Sequence, residues 1–385
     1  MSRNLVLLGC TGSIGRQTLD VVRSLAGEVR VYGLAAGNNV ALLAEQAAEF
    51  KPRAICLRAP PPSSFNSACA EVLQGDEGLV EMVRREEVDL VVVGTAGKGG
   101  LLPTLAALKA DKLVALANKE TLIMAGPLIR RLLDAGHGSL VPIDSEHSAI
   151  WQCLQGEPAD SVERLTLTAS GGALRRLTTA ELATVTPEQA LQHPTWSMGR
   201  KITVDSANLM NKGLEVLEAQ WLFGLPLASI DVVMHAQSIV HSLVTFRDSS
   251  TKAQLGLPDM RLPIQYALSH PQRWPSSVPR LDLATVGTLT FDAVDWERYP
   301  ALRLALDAGS AGGTYPTVLS AADEVAVEAF LAGRLAFTEI PAVIAGALDR
   351  HTHCGAPELD DILESDRWAR AAASGLVASS KRSHI

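Results

Sequence analysis

Two short stretches carry side chains in a pattern suited to a hard divalent cation. Asp144 and Glu146 stand two residues apart, where the apolar run Leu140–Ile143 gives way to a helical pattern. Open α/β sheets bind ligands at the mouth formed by the carboxyl ends of their strands, and Mg2+ or Mn2+ takes oxygen ligands. Glu215 adds a third carboxylate. It lies in Ser206–Phe223, which reads as one helix, with Asn211 four residues earlier on the same face and Lys212 beside them. Together with Ser206 this face would join a metal ligand to donors for a phosphate or a hydroxyl. The plain alternatives are an Asp144-Ser145-Glu146 helix cap and an ordinary solvated helix face.

A second chemistry is written in Gly9-Cys10-Thr11-Gly12-Ser13-Ile14-Gly15, which follows the apolar run Leu5–Leu8 and opens a helical pattern. Glycines let the backbone turn sharply and approach a pyrophosphate, while the helix start offers N–H groups and a positive dipole end. The spacing is G-x-x-G-x-x-G, and its place after the first strand points to a dinucleotide. The next strand, Val29–Leu34, runs into Ala35-Ala36-Gly37-Asn38-Asn39 with no carboxylate to hold a ribose diol. An acid there would repel a 2′-phosphate, so its absence favours NADP(H). Asn39 also reads as a helix cap, and the two readings are compatible.

Three further segments mix chemical side chains with turn residues. Asn118-Lys119-Glu120 ends the strand Leu113–Ala117 and puts a lysine at another carboxyl edge of the sheet. Thr168-Ala169-Ser170-Gly171-Gly172 follows a strand and can form an anion-binding nest of N–H groups, or a plain Gly-Gly turn. His193-Pro194-Thr195-Trp196-Ser197-Met198-Gly199-Arg200 carries large apolar side chains in a loop, which either pack on the core or close over a ligand.

The elements that must position these groups follow from the hydrophobic pattern. Residues 1–144 alternate short apolar runs, among them Ala54–Leu57 and Leu90–Val93, with helical segments such as Gln17–Leu25 and Val40–Phe50. This predicts a Rossmann-like, doubly wound α/β domain. Residues 145–270, with strand-like Val162–Ala169 and a long Val232–Phe246, suggest an α+β catalytic domain. Pro271, Pro275 and Pro279 mark 271–300 as a linker, and 301–385 reads as a C-terminal helical domain. Pro60–Pro62 and the serines after it read as a surface loop, and Ser379–Ile385 as a frayed end.

The bulk composition is that of a folded globular chain: 385 residues, 47% hydrophobic and 20% charged. Lysine plus arginine total 34 against 42 acids, a formal charge of −8, which argues against a general nucleic-acid binder. Five scattered cysteines, Cys10, Cys56, Cys69, Cys153 and Cys354, form no C-x-x-C pair and read as reduced thiols of a cytoplasmic protein. No run is long enough to span a membrane. His351, His353 and Cys354 lack a second ligand pair at zinc-site spacing.

Taken in order, Gly9–Gly15, Ala117–Glu120, Asp144–His147, Thr168–Gly172, His193–Gly199, Asp205–Glu218, Leu257–Tyr266 and Pro316–Val327 resemble the 1-deoxy-D-xylulose 5-phosphate reductoisomerase family along essentially the whole chain. The resemblance implies a homodimer that acts on a phosphorylated sugar with NADPH and Mg2+, Mn2+ or Co2+. It implies rearrangement of 1-deoxy-D-xylulose 5-phosphate by retro-aldol cleavage and aldol recombination, then hydride reduction to 2-C-methyl-D-erythritol 4-phosphate. By the same resemblance Asp144, Glu146 and Glu215 would bind the metal, and Ser145 and Lys119 would meet the substrate beside it. Ser170, Ser206, Asn211 and Lys212 would hold the phosphate end. His193, Trp196 and Met198 would form the lid. Thr11, Gly12, Ser13, Ile14, Gly37, Asn38, Asn39, Asn118, Glu120 and Gly199 would lie along NADPH. Lys119, Glu146, His193 and Trp196 are the residues expected to act on the reacting atoms, with Glu215 and Met198 also touching substrate.

The sequence departs from the family pattern at Cys10 (usually Ser), Asn38 (basic in some members), Ala236 (commonly Pro) and Asp323 (commonly Asn). Other classes compete: an NADP-dependent reductase of a phosphorylated aldehyde, which would need no carboxylate triad, and a redox-sensing regulator, which would carry a basic DNA-reading element that is not found here.

Overall fold

The computed structural model describes residues 2–25, 27–60 and 71–380. Pro61, Pro62 and Cys69, and the end of the chain from 381, lie outside the described residues, so the loop and fraying expected there are not addressed. The chain forms two compact units. One comprises residues 1–121, 127–148 and 259–279, and the other 122–126, 149–258 and 280–385.

The first unit is built on a seven-stranded sheet of order β4-β3-β2-β1-β5-β6-β7. Its strands are β1 (Arg3–Leu8), β2 (Val29–Ala36), β3 (Ala54–Leu57), β4 (Glu71–Gln74), β5 (Leu90–Val93), β6 (Leu113–Leu116) and β7 (Ser139–Pro142). All pairings are parallel. A parallel sheet covered on both faces needs runs that are apolar on every residue; Leu5–Leu8 and Leu90–Val93 are fully buried. Each such leucine contributes about 1.5–3 kcal/mol by leaving water. The crossover helix Ser13–Ser24 buries Gly15, Thr18, Leu19, Val21 and Val22, one face at helical spacing. This is the doubly wound architecture expected, and chain order reverses between β1 and β5. The helix Arg261–Ser269 belongs to this unit and packs on Ser13–Ser24. Arg3 ties it down by donating to the carbonyls of Leu268 and His270.

The second unit holds a four-stranded sheet of order β11-β10-β8-β9, formed by β8 (Val162–Ala169), β9 (Ile230–Met234), β10 (Val240–Phe246) and β11 (Thr251–Leu255). β8 runs parallel to β9 and antiparallel to β10. The long strand expected over Val232–Phe246 is therefore two strands separated in the sheet by β8. The break is held by His235, whose Nε2 accepts from the N–H groups of Ile239 and Val240, with Ser238 at φ +53° in the turn.

The helix expected over Ser206–Phe223 is also two, Arg200–Asn208 and Met210–Phe223. Leu209 at φ 62° is left-handed, which costs about 1–2 kcal/mol. Asn208 offsets part of this by accepting from the Met210 N–H at 2.8 Å. One continuous apolar core runs from Leu174, Val204, Met210 and Leu214 to Ala305, Val318, Phe330, Ile344 and Ala373. The helices and loops between 174 and 217 and the C-terminal helices thus share a core, whose centre is the buried helix Tyr315–Leu331. Among the described residues, no helix is long and apolar enough to cross a membrane.

Candidate active site

In the first unit the glycine turn is shaped by contacts that exclude a side chain. A Cβ on Gly9 (φ +83°) would meet the Gly94 carbonyl oxygen at 2.5 Å, and one on Gly15 would meet the Gly9 oxygen at 2.2 Å. β1, the turn and β5 can approach this closely only with glycine. The helix Ser13–Ser24 begins after Gly12 with no side-chain cap, so its first-turn N–H groups face outward as an anion seat. Cys10 is buried, and burial pushes its thiol up to about 12, so it is an inert filler.

Gly37, Asn38 and Asn39 are exposed at the end of β2, and Asn39 accepts from the Leu42 N–H as the expected helix cap. Asn118 stands at the end of β6. Its amide donates to the carbonyls of Thr95 and Gly97 and to Glu120, and its oxygen accepts from the Thr121 N–H. Its side chain thereby fastens the β5 and β6 loops. β2 and β6 are three strand steps apart, about 14 Å at ordinary spacing, with the glycine turn between them. That span is comparable to the length of an extended dinucleotide.

On the same edge, Lys119 is buried and ion-paired with Asp144. Asp144 also accepts from the Ser145 N–H at 3.0 Å, and His147 Nδ1 lies 3.3 Å from its other oxygen. Burial alone would raise the Asp144 carboxyl. Lys119 and His147 outweigh it and hold it well below the usual carboxylate range. Ser145 Oγ donates to Glu146 at 2.5 Å. The two acids are thus oriented oxygens, and Asp144 is fixed in its ionised form. His147 was not assigned a role by sequence reasoning. Its i, i+3 spacing from Asp144 was the available signal.

The second unit supplies two clusters. Glu215 is buried on Met210–Phe223, accepts from Asn211 Nδ2 at 2.6 Å and is ion-paired with buried Lys212. A Cβ on Gly213 would lie 2.4 Å from the Ala305 Cβ, so this helix is seated closely on Pro300–Ala311 and its polar face is fixed in rotation. Asn211, Lys212 and Glu215 do form one cluster, as the spacing implied. Ser206 sits on the preceding helix.

Ser206 joins the other cluster. Its Oγ is 3.5 Å from Ser170 Oγ, which in turn is 3.0 Å from His193 Nε2. The Gly171–Gly172 turn has positive φ at both residues, and a Cβ on Gly172 would meet the Ala207 backbone at 2.6 Å. Gly172 is thus required for contact with the Ser206 helix. His193 Nδ1 accepts from the N–H groups of Thr195 (3.1 Å) and Trp196 (2.9 Å). The ring proton is therefore on Nε2, shared with Ser170. Burial, with Arg175 nearby, lowers the His193 pKa to about 4, so the ring is neutral at pH 7. The Trp196 ring is half-buried, 6.1 Å from that of His241. Met198 is half-buried in the same loop, and Gly199 ends it as the start of Arg200–Asn208. Sequence reasoning missed Arg175 and His241. Nothing local marked them, since one lies in a turn and the other within β10.

In each unit the acids have the chemistry of a hard-cation ligand. Asp144 and Glu146 in the first and Glu215 in the second offer only oxygen, and Asp144 and Glu215 are each ion-paired with an adjacent ammonium group.

Comparison with known proteins agrees along the chain. Three family models match: 1-deoxy-D-xylulose 5-phosphate reductoisomerase over residues 5–126, its C-terminal domain over 140–223, and the DXP reductoisomerase C-terminal domain over 255–372. A 1-deoxy-D-xylulose 5-phosphate reductoisomerase of Pelotomaculum thermopropionicum is 52% identical over 375 residues, 96% of this chain and 97% of that protein. One of Gloeobacter violaceus is 50% identical over 97% of each chain. The solved reductoisomerase of Zymomonas mobilis in complex with NADPH is 39% identical with a TM-score of 0.91, covering 98% of this chain and 99% of its own. A solved DOX-P reductoisomerase in complex with NADPH, fosmidomycin and magnesium is 38% identical with a TM-score of 0.93, over the same shares.

Proposed function

Because the chain belongs to the 1-deoxy-D-xylulose 5-phosphate reductoisomerase family, we infer its activity from that membership and assign roles to its own residues. It is an NADPH- and divalent-metal-dependent reductoisomerase of isoprenoid biosynthesis, converting 1-deoxy-D-xylulose 5-phosphate to 2-C-methyl-D-erythritol 4-phosphate. The observation that carries this is family identity near one half over the whole length, with a relative of the same fold holding both NADPH and magnesium.

Asp144, Glu146 and Glu215 would hold the cation, Mg2+ or Mn2+. When bound, it polarises the ketone and neutralises charge developing on oxygen during the skeletal rearrangement. NADPH supplies the hydride that reduces the rearranged aldehyde. Thr11, Gly12, Ser13 and Ile14 would seat its pyrophosphate. Gly37, Asn38 and Asn39 would face its ribose phosphate, and Asn118, Glu120 and Gly199 its nicotinamide half. Lys119 and Ser145 would donate to substrate oxygens beside the metal ligands. Ser170, Ser206, Asn211 and Lys212 would hold the phosphate end, where binding energy remote from the reacting carbons orients the substrate. His193, neutral and with its proton on Nε2, would act as a donor. Trp196 and Met198 would cover the substrate and keep water from a reactive carbanion-like intermediate.

By the same reading the protein is a homodimer, and its dispersed cysteines suit the cytoplasm; Cys10, Cys56, Cys153 and Cys354 are free. The test is NADPH oxidation with 1-deoxy-D-xylulose 5-phosphate, with and without chelator. The expected result is turnover abolished by EDTA and restored by Mg2+. Turnover indifferent to chelator would remove the metal from the mechanism.

A further inference from the structure

The coenzyme's 2′-phosphate is a dianion, yet the loop that ends β2 offers it no charge. Ala36, Gly37, Asn38 and Asn39 are all uncharged, in a protein whose net charge is −8. In a doubly wound sheet with the pyrophosphate over the first strand's turn, the adenine-side ribose lies at the end of the second strand. A 2′-phosphate on that ribose projects toward the neighbouring strand end, which here is that of β3.

β2 and β3 pair in parallel with Ala35 opposite Cys56 and Ala36 opposite Leu57. The chain therefore leaves the sheet at Gly37 and Arg58 side by side, about one strand spacing (~4.8 Å) apart. Among the described residues that flank these two strand ends, Gly37, Asn38, Asn39, Arg58, Ala59 and Pro60, Arg58 carries the one formal charge. It is exposed, and no ion pair joins it to a described residue. The acids at the end of β4, Asp76 and Glu77, stand at the start of the next helix. With no ion pair to a described residue to surrender, the guanidinium can grip a phosphate with two parallel N–H donors.

We propose that Arg58 is the cation that receives the 2′-phosphate of NADPH and so sets the preference for NADPH over NADH. This rests on the coenzyme site assigned above. Arg53 serves as the internal control. It precedes β3 at the opposite edge of the sheet, with its N–H on the Tyr32 carbonyl, about 16 Å away by strand rise.

The experiment titrates the full-length protein with NADPH, NADH, 2′,5′-ADP and 5′-ADP by fluorescence and competition, for wild type, Arg58→Ala, Arg58→Lys and Arg53→Ala. Arg58→Ala should weaken NADPH and 2′,5′-ADP about tenfold and leave NADH and 5′-ADP unchanged. Arg58→Lys should recover part of the loss, and Arg53→Ala should match wild type. Because Arg58 is exposed and has no ion pair among the described residues, the melting temperature of Arg58→Ala should match wild type. Equal losses for phosphorylated and unphosphorylated ligands, or no loss, would overturn the assignment. A wild-type protein that binds NADH as tightly as NADPH would overturn the coenzyme preference itself. That result is distinguishable because it appears before any substitution is made.

Discussion

Glu215→Gln is the sharpest test of the metal assignment, because two effects of known size must be separated. Glu215 is 1% exposed, and the ammonium of Lys212, at 3%, is ion-paired with it. Replacing the carboxylate with an amide of the same shape removes the charge that balances Lys212. Breaking a buried pair in this way costs about 3–5 kcal/mol, less where the remaining charge finds other partners. Asn211 Nδ2 would in addition face an amide that must turn its oxygen to accept. A fall in stability is therefore expected whether or not a cation ever binds, and lost activity in a destabilised protein would prove little. The metal reading adds a separate requirement. Removing one hard ligand should reduce turnover at least about tenfold, roughly 1.4 kcal/mol at the transition state, and should raise the Mg2+ concentration needed for half-maximal rate. The assay is initial rate against Mg2+, at a temperature where circular dichroism shows the variant folded. Lys212→Met/Glu215→Gln serves as the partner variant, restoring charge balance without restoring the ligand. If Glu215→Gln turns over at near wild-type rate with an unchanged Mg2+ requirement, Glu215 is only the ionic partner of Lys212 and the triad is wrong.

Trp196→Ala should raise KM for substrate several-fold and cost under about 1 kcal/mol of stability, since the half-buried ring lies in a loop; a loss near the ~3–5 kcal/mol of a core tryptophan would show that it is packing instead. Gly15→Ala should abolish NADPH binding, because the new Cβ would fall 2.2 Å from the Gly9 oxygen and force the turn open; unchanged NADPH affinity by titration would refute the seat. Asp323→Asn should stabilise the protein at neutral pH. One ammonium, Lys201, stands 2.7 Å from Asp205 and 2.6 Å from Asp323, and burial outweighs it to raise the Asp323 carboxyl. A raised folded pKa means the unfolded chain releases the proton first, so wild-type stability falls as pH rises above about 4, and the variant should lack that part of the slope. Urea denaturation at pH 5 and pH 8 checks this: the variant's gain over wild type should be larger at pH 8, and an equal difference at both pH values, or a loss at pH 8, would contradict it.

Much was legible in the amino-acid order because it is local. The turn from Gly9 to Gly15, the all-apolar strands Leu5–Leu8 and Leu90–Val93, the Asn39 cap and the Asn211–Glu215 pair each depend on neighbours a few residues away, where backbone geometry and helical or strand period act directly. Residues far apart in the chain were decided only by tertiary structure. Strand order put β5 against β1, and it was contact with Gly94 that made Gly9 obligatory. Periodicity could not show that Leu209 breaks a helix, since apolar spacing continues through it and the break is held by Asn208 and by packing. Nor could it show that His193 is neutral with its proton on Nε2, because that state is set by two backbone N–H groups, by Ser170 and by burial. A sequence states which groups are available; burial and the partners brought by topology decide their charge, tautomer and orientation, because those depend on the solvent the fold removes.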